Sequence, residues 1–371
     1  MRKIKAIFIL QNLNGGGAER TTLNVLRHLD RSRFEIVLFL LENAGVYFSD
    51  VPRDVKLVCA CKSARYNKYL MPFYLVKLML EARRCDVIVG ALELRPTYLA
   101  YAAAVILRKP AIGWVRVAID QCLKQWKKWH TRAVQILYPR LACVVCVSHS
   151  TGESIKKVAR IKYERLRVIN NIYEIDSIIN RSTDTIPDWY ADILSKPTVI
   201  AVGRMMPQKG FDILINAHAK ILEKGIAHHL VILGEGAIRC ELEEMVRSFG
   251  LQQTVFMPGY ILNPYPLIKK AAVFALSSRY EGFPGAIVEA LAIGTPVVAA
   301  DCPGSKDVLS DGHYGLIVPV GDPAALAEGI GKLLTDSDLR KRLSMAGVEH
   351  AKAFSSANIV GRWEQLLTEI S

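Results

Sequence analysis

The sequence predicts an α/β protein of two domains, each built on a parallel sheet. Three observations carry that reading. The chain has 371 residues, a length at which two domains are expected. Short apolar runs, the length of buried strands, alternate along it with apolar residues at helical spacing. The third observation is residues 271–300, which read as strand, loop, helix and strand. Residues 271–276 are an apolar run ending in polar, Gly and Pro residues. A helical pattern opens near Gly285, with Ile287, Val288 and Leu291 on its spacing. Gly294, Thr295 and Pro296 stop it, and residues 297–300 return as a parallel strand. In such a unit a ligand sits at the strand's C-terminal edge, facing the helix start.

That unit also carries chemistry. Glu281 lies on the loop, and Glu289, eight positions on, lies about one turn inside the helix. Backbone amides at Phe283, Gly285, Ala286 and Ile287 are expected to be free, because first-turn amides lack intrahelical partners. Gly282, Pro284 and Gly285 shape the turn and let an anion approach. Two carboxylates around a nest of amides suit a ligand that carries both phosphates and hydroxyls. The pattern equally fits an ordinary loop, with Glu281 a helix N-terminal charge and Glu289 solvated.

Composition narrows the class. The chain is 51% hydrophobic, enough for two cores. It has no run of 18 apolar residues, and Met1-Arg-Lys-Ile-Lys leads straight into a strand without a signal peptide's apolar region. Of eight cysteines, only Cys143 and Cys146 have a zinc-like spacing. They sit in an apolar strand with no second pair, so buried reduced thiols in a cytosolic enzyme are expected. Residues 1–170 hold 30 Lys+Arg against 12 Asp+Glu, and residues 171–371 hold 18 against 23. A basic first half should face an anionic partner.

Taken in order, residues 4–10 read as the first strand. Gly15, Gly16 and Gly17 then permit tight turning and close backbone approach before a helix through Leu23, Leu26 and Leu29, although this is not the G-x-G-x-x-G pattern. Residues 34–41, 55–59, 86–90, 111–115 and 141–147 are further strands. Residues 65–84 and 123–132 are aromatic and basic: Tyr66, Tyr69, Phe73 and Tyr74 lie among Lys68, Lys77, Arg83 and Arg84. Trp126 and Trp129 lie beside Lys124, Lys127 and Lys128. Too short and charged to span a bilayer, both suit its interface; core packing on one face and solvated cations on the other explain them equally. The second half opens with a strand at 197–203 that runs into Arg204 and Lys209, two cations on a loop before a helix, well placed for a diphosphate. Strands at 229–233 and 255–259 follow, the first ending in Gly234-Glu235-Gly236. Asp336-Ser337-Asp338 is the one Asp-x-Asp; helix N-capping explains it better than a metal, and no metal is expected in catalysis.

Together these pieces resemble one family. The Glu, seven residues, Glu spacing within EGFPGAIVEALAIGTPVVAAD (281–301) is similar to the donor-site signature of retaining nucleotide-sugar glycosyltransferases of GT-B architecture, family four. Gly15–Gly17, Gly203-Arg204, Lys209-Gly210 and Gly234-Glu235-Gly236 extend the match over nearly the whole chain. The resemblance implies two facing Rossmann-like domains with a donor/acceptor cleft between them. Residues 1–176 would be the acceptor side, 177–196 a linker and 197–354 the nucleotide-sugar domain, with helix 355–371 returning to the first domain. It implies that Arg204, Lys209 and Glu281 act at the reaction centre. Gly203, Gly234, Tyr260, Phe283, Pro284, Gly285, Ala286, Ile287 and Glu289 would hold the donor, with Gly15, Gly16 and Gly17 against its diphosphate from across the cleft. Members often have His at the place aligned with Arg116, assigned to holding the donor sugar or diphosphate. Arg116 is a possible sugar or acceptor contact, but it stays protonated and cannot be a base.

The implied activity is metal-independent, retaining transfer of a hexose or N-acetylhexosamine. The donor is a nucleoside-diphosphate sugar, uridine before guanosine, bound as substrate with no further cofactor. The acceptor is a glycan or polyprenyl-diphosphate-linked glycan of bacterial surface assembly. The enzyme is expected in the cytoplasm, peripheral on the inner membrane face, with its first domain on anionic lipid. Two readings remain beside this one. The fold also serves nucleotide-sugar epimerases and phosphorylases. The basic charge also fits a nucleic-acid-binding protein, though no such motif is present and no nucleic-acid partner is expected.

Overall fold

The computed structural model describes residues 2–61, 68–123 and 126–371. They form two compact units, Met1–Tyr173 with Ser356–Ser371, and Glu174–Ser355.

Unit 1 is a seven-stranded parallel sheet of β1 (Ile4–Leu10), β2 (Phe34–Leu40), β3 (Lys56–Cys59), β4 (Val87–Gly90), β5 (Ala111–Val115), β6 (Cys143–Cys146) and β7 (Leu166–Val168). Its spatial order is β3-β2-β1-β4-β5-β6-β7, and the register places Ile7 between Val37 and Ile88. The central strands are almost wholly apolar because helices cover both faces. The helices are α1 (Gly17–His28), α2 (Met71–Ala82), α3 (Arg95–Leu107), α4 (Ile119–Cys122), α5 (Lys128–Leu137) and α6 (His149–Val158). Tyr74 and Leu78 of α2, Leu99 of α3, Val134 of α5 and Ile155 of α6 share one core with Ile7, Phe39, Ile88 and Val144. On the other face α1 packs with the C-terminal helix, Ser356–Ile370. That helix belongs to unit 1 because Trp363 is fully buried there, its ring 4.3 Å from Trp114 and 6.3 Å from Phe8.

Unit 2 holds six parallel strands, β8 (Thr198–Val202), β9 (His229–Leu233), β10 (Val255–Gly259), β11 (Val273–Leu276), β12 (Val297–Ala300) and β13 (Leu316–Val318), ordered β10-β9-β8-β11-β12-β13. Its helices are α7 (Ile175–Arg181), α8 (Asp188–Ile193), α9 (Phe211–Glu223), α10 (Arg239–Ser248), α11 (Tyr265–Lys270), α12 (Gly285–Ala292), α13 (Pro303–Leu309), α14 (Pro323–Thr335) and α15 (Ser337–Ala351).

Three segments differ from the sequence reading. Residues 177–196 are not a linker: α7 and α8 occupy most of them and are part of unit 2. Ile178, Tyr190 and Ile193 are buried, and Tyr190 Oη donates to the Leu267 carbonyl at 2.7 Å. Segment 65–84 is α-helical only from Met71, where Pro72 suits a first turn; Arg65 and Tyr66 lie outside the described residues. Segment 123–132 is broken, since α4 ends at Cys122 and α5 begins at Lys128. Trp126, between them, packs on the core, and Lys124 lies outside the described residues.

Each sheet reverses its winding once, between β1 and β4 and between β8 and β11. Loops leave the carboxyl ends of such a strand pair on opposite sides and open a crevice for a ligand. Gly15–Gly17 follow β1, and Arg204 and Lys209 follow β8, so sequence motifs fall at both reversals.

Candidate functional site

In unit 2 the site begins where β8 ends. Gly203 leads to Arg204, and a short turn, Pro207–Lys209, is closed by Gly210 at φ +61°. A Cβ on Gly210 would stand 2.2 Å from the Ser277 carbonyl oxygen, so only glycine lets this loop lie against the end of β11. The close approach brings Lys209 to Glu281 across the reversal, with Nζ 2.6 Å from Oε1. Ser278 Oγ donates to the same oxygen at 2.8 Å, Gln208 Nε2 to the Tyr280 carbonyl at 2.9 Å, and Ser277 Oγ to the Lys209 carbonyl at 2.9 Å. Glu281 is only 9% exposed, so these partners stand where water would otherwise solvate its carboxylate. Arg204 is exposed, and among the described residues no hydrogen bond or ion pair engages its guanidinium.

The head of α12 faces the same edge. Pro284 precedes it with φ −74° and ψ 96° and no side-chain cap. This leaves the Gly285 and Ala286 amides without intrahelical partners. The Ile287 amide, expected to be free, instead donates to the Pro284 carbonyl at 3.0 Å because the first turn is tightened. Phe283 is buried with its ring 5.4 Å from Phe354, so it presents only backbone. Glu289 lies one turn further on, half-buried, and accepts from Tyr265 Oη at 3.2 Å. Gly234 (φ +137°) ends β9 against the Gly203 carbonyl, and Tyr260, after β10, is well exposed. Gly203, Arg204, Lys209, Gly234, Tyr260, Glu281 and the residues of 283–289 thus all lie at the carboxyl edge of one sheet.

In unit 1 the reversal is closed by Arg116, which follows β5 and is 7% exposed. Nε donates to the Ala91 carbonyl at 3.0 Å, Nη2 to Thr22 Oγ1 at 2.6 Å and Nη1 to Thr21 Oγ1. The guanidinium lies over the Trp114 ring, 3.5 Å from its centroid. Three of its five N–H donors are therefore committed to protein. They fasten the start of α1, and with it Gly15–Gly17, to the end of β4. Burial lowers the Arg116 pKa, which Glu93 and Glu19 oppose; burial raises the Glu93 carboxyl, which Arg116 opposes. Glu19 curls back over Gly16, where a Cβ would meet its Oε2 at 2.3 Å. Leu94, next to Glu93, takes φ +61° and ψ −113°, a conformation unfavourable for Leu. Its amide donates to Tyr138 Oη at 3.3 Å and its carbonyl accepts from the Tyr98 amide at 2.7 Å.

Sequence reasoning missed Glu93, Ser278, Gln208 and Tyr265. Glu93 had a signal: it is an acid among the apolar residues that follow a buried strand. Asp336 accepts from the Leu339 amide at 2.8 Å as the α15 N-cap. Cys143 and Cys146 are free and buried, and burial raises both thiol pKa values. Among the described residues no three His, Cys, Asp or Glu gather as metal ligands, and no helix is long and apolar enough to cross a membrane.

Comparison with known proteins agrees with the geometry. Residues 15–177 match the model of Glycosyltransferase Family 4, and residues 188–350 match that of Glycosyl transferases group 1. The chain is 27% identical over 374 residues to N-acetylgalactosamine-N,N'-diacetylbacillosaminyl-diphospho-undecaprenol 4-alpha-N-acetylgalactosaminyltransferase of Campylobacter jejuni, covering 97% of each chain. It is also 27% identical to that organism's GalNAc-alpha-(1->4)-GalNAc-alpha-(1->3)-diNAcBac-PP-undecaprenol alpha-1,4-N-acetyl-D-galactosaminyltransferase, covering 99% of each. The crystal structure of Anabaena HepE in complex with UDP and glucose superposes with a TM-score of 0.81 at 20% identity, covering 99% of this chain and 100% of that one. The epimerase, phosphorylase and nucleic-acid readings draw no support from these comparisons. Two glycosyltransferase domain models in tandem, on two Rossmann-like sheets with the motifs at their reversals, show that this chain belongs to the GT-B glycosyltransferases.

Proposed function

We propose that this glycosyltransferase moves an N-acetylhexosamine, with retention, from a UDP-sugar to a polyprenyl-diphosphate-linked glycan in bacterial glycan assembly. One observation carries the reading. Lys209 and Glu281 form a largely buried ion pair across the β8–β11 reversal, at the same sheet edge as the exposed Arg204 and the Gly285 and Ala286 amides of α12. That arrangement suits a ligand with a diphosphate at one end and hydroxyls at the other. The relatives' acceptor and sugar names support the lipid-linked acceptor and the N-acetylhexosamine; the UDP bound to HepE supports the base.

Breaking the anomeric bond leaves negative charge on the outer phosphate. Arg204, Lys209 and the α12 amides stabilise it there without reorganising, which is electrostatic preorganisation. The departing phosphate accepts the proton of the acceptor hydroxyl, which attacks from the same face. Glu281, held by Lys209 and Ser278, orients sugar hydroxyls, and Glu289 takes the ribose hydroxyls; neither is a nucleophile. Arg116 acts as a positioning residue that fixes Gly15–Gly17.

These positive groups do the neutralising without a metal ion, and unit 1 docks on anionic membrane from the cytoplasm. The test is release of UDP from UDP-N-acetylglucosamine and UDP-N-acetylgalactosamine, with and without a polyprenyl-diphosphate glycan, in EDTA. Acceptor-dependent release and an α-linked product are expected. Release that needs no acceptor, or that requires added magnesium or manganese, overturns the corresponding part.

A further inference from the structure

Unit 1 carries a polar cavity at the edge of its sheet opposite Gly15–Gly17. The pocket, of about 260 Å³, opens beside the end of α3, and Lys109, Arg140 and Arg165 line it together with Tyr101 and Val105. Lys109 lies just before β5, Arg140 just before β6 and Arg165 just before β7. In a parallel sheet the residues that lead into successive strands gather at one edge, and those that leave them gather at the other. The five residues of β5 separate the pocket from Arg116 by roughly 15 Å at about 3.3 Å per residue. The cavity is thus distinct from the site at the carboxyl edge.

Its charge is not neutralised from within. Lys109 Nζ donates to the Arg83 carbonyl at 2.7 Å and to the Cys85 carbonyl; Arg140 donates to the Ile136 carbonyl; Arg165 Nη1 donates to the Pro139 carbonyl at 3.1 Å. Among the described residues none of the three is paired with a carboxylate. Elsewhere on unit 1 basic side chains do find acids, as in Lys56–Glu81 and Arg33–Glu364. The carbonyl contacts hold each cation in place and leave further N–H donors available. Arginine forks and a lysine point charge are the groups that recognise phosphate oxygens. The space would hold roughly nine waters at about 30 Å³ each, enough for a phosphate group and its hydration. The rim is apolar: Val105 and its neighbour Ile106 are each 58% exposed.

We infer that this cavity binds a phosphate group, carried either by an anionic lipid headgroup or by free phosphate. The inference stands independently of the donor assignment. It is tested on the full chain by calorimetric titration of inorganic phosphate into wild type, Arg140→Gln/Arg165→Gln, Val105→Glu and Arg204→Ala. Saturable binding in wild type is expected, weakened at least tenfold by the double substitution and by Val105→Glu but unchanged by Arg204→Ala. Val105 is exposed, so its replacement brings a carboxylate to the rim without disturbing the core, and it decides the matter if the double variant does not fold. Co-sedimentation with phosphatidylcholine vesicles, with and without phosphatidic acid, then separates the sources. Vesicle binding that needs phosphatidic acid and that added inorganic phosphate displaces assigns a lipid headgroup to the cavity; vesicle binding that phosphate leaves unchanged, or no vesicle binding, assigns free phosphate to it. If wild type shows no saturable phosphate binding, or only binding that Arg204→Ala abolishes and Val105→Glu leaves intact, the inference is wrong.

Discussion

Arg204 and Lys209 stand in different surroundings, so their substitutions should behave differently. Arg204 is exposed and has no protein partner among the described residues. Arg204→Ala should leave stability within about 0.5 kcal/mol of wild type. It should nonetheless reduce kcat/KM by the loss of one charge-assisted hydrogen bond to the donor, about 1.5–3 kcal/mol. Lys209 also neutralises Glu281, whose side chain is nearly buried. Lys209→Ala strands that carboxylate, and breaking a buried pair costs about 3–5 kcal/mol. It should therefore lower both the thermal unfolding midpoint and turnover, and an unchanged midpoint would show that the pair contributes nothing. Glu289 is a third case, half-buried under Tyr265 Oη. If it holds the ribose, its contact is the same in ground and transition states, so Glu289→Gln should raise the donor KM more than it lowers kcat. A pure kcat loss in steady-state kinetics would assign it a different role.

At the scale of elements, α2 has two apolar faces. Tyr74, Leu78 and Ala82 are buried in the core, while Phe73, Val76 and Leu80 on the outer face are each more than half exposed. The adjoining α3 and α5 expose Val105, Ile106, Trp129 and Ile136, with Lys127, Lys128 and Arg132 among them. Apolar anchors ringed by cations suit an anionic bilayer surface, where each cation is worth about 1 kcal/mol. Phe73→Ser/Val76→Ser/Leu80→Ser, and separately Lys127→Glu/Lys128→Glu, should each reduce co-sedimentation with phosphatidylglycerol vesicles at low salt. Wild type that ignores such vesicles would show that this face does not dock on a membrane. The long elements of the fold were legible because their apolar spacing is unbroken, as in β1, α9 and α12. Sequence reading failed where tertiary contacts make the element. β7 and β13 are three-residue strands, each completing one side of its sheet, too short for any period to appear. α7 and α8 run through polar sequence near Pro187 and depend on burial of Ile178, Tyr190 and Ile193. In the candidate site, motif spacing marks Glu281, Glu289, Arg204 and Lys209 in the sequence, and the fold brings their segments to one sheet edge. The anchoring of Arg116 by Thr21 and Thr22 joins residues almost a hundred positions apart, and no local pattern reports that.

For the whole molecule, acid should act through unit 2. His218 Nδ1 lies 2.8 Å from His228 Nε2, and His218 Nε2 lies 2.9 Å from Thr254 Oγ1; His218, His228 and the neighbouring His229 are all buried. Burial lowers the His218 pKa to about 3, with His228 and His229 adding to the effect, and it lowers that of His228 as well. The folded state therefore keeps these rings neutral at a pH where the unfolded chain takes up protons near the ordinary value of about 6.5. Stability should fall as pH drops from about 6.5 towards 3, and His218→Gln should flatten that slope in unfolding midpoints measured against pH. An equal slope in the variant would exclude the cluster as its source. Both units place their motifs at a winding reversal, and on the proposed function the reversal of unit 2 holds the diphosphate of a nucleotide sugar. Calorimetric titration of UDP into wild type and Arg204→Ala tests this most directly. Wild type should bind one UDP per chain, and the variant at least about tenfold more weakly; equal affinity in the two proteins would rule this site out.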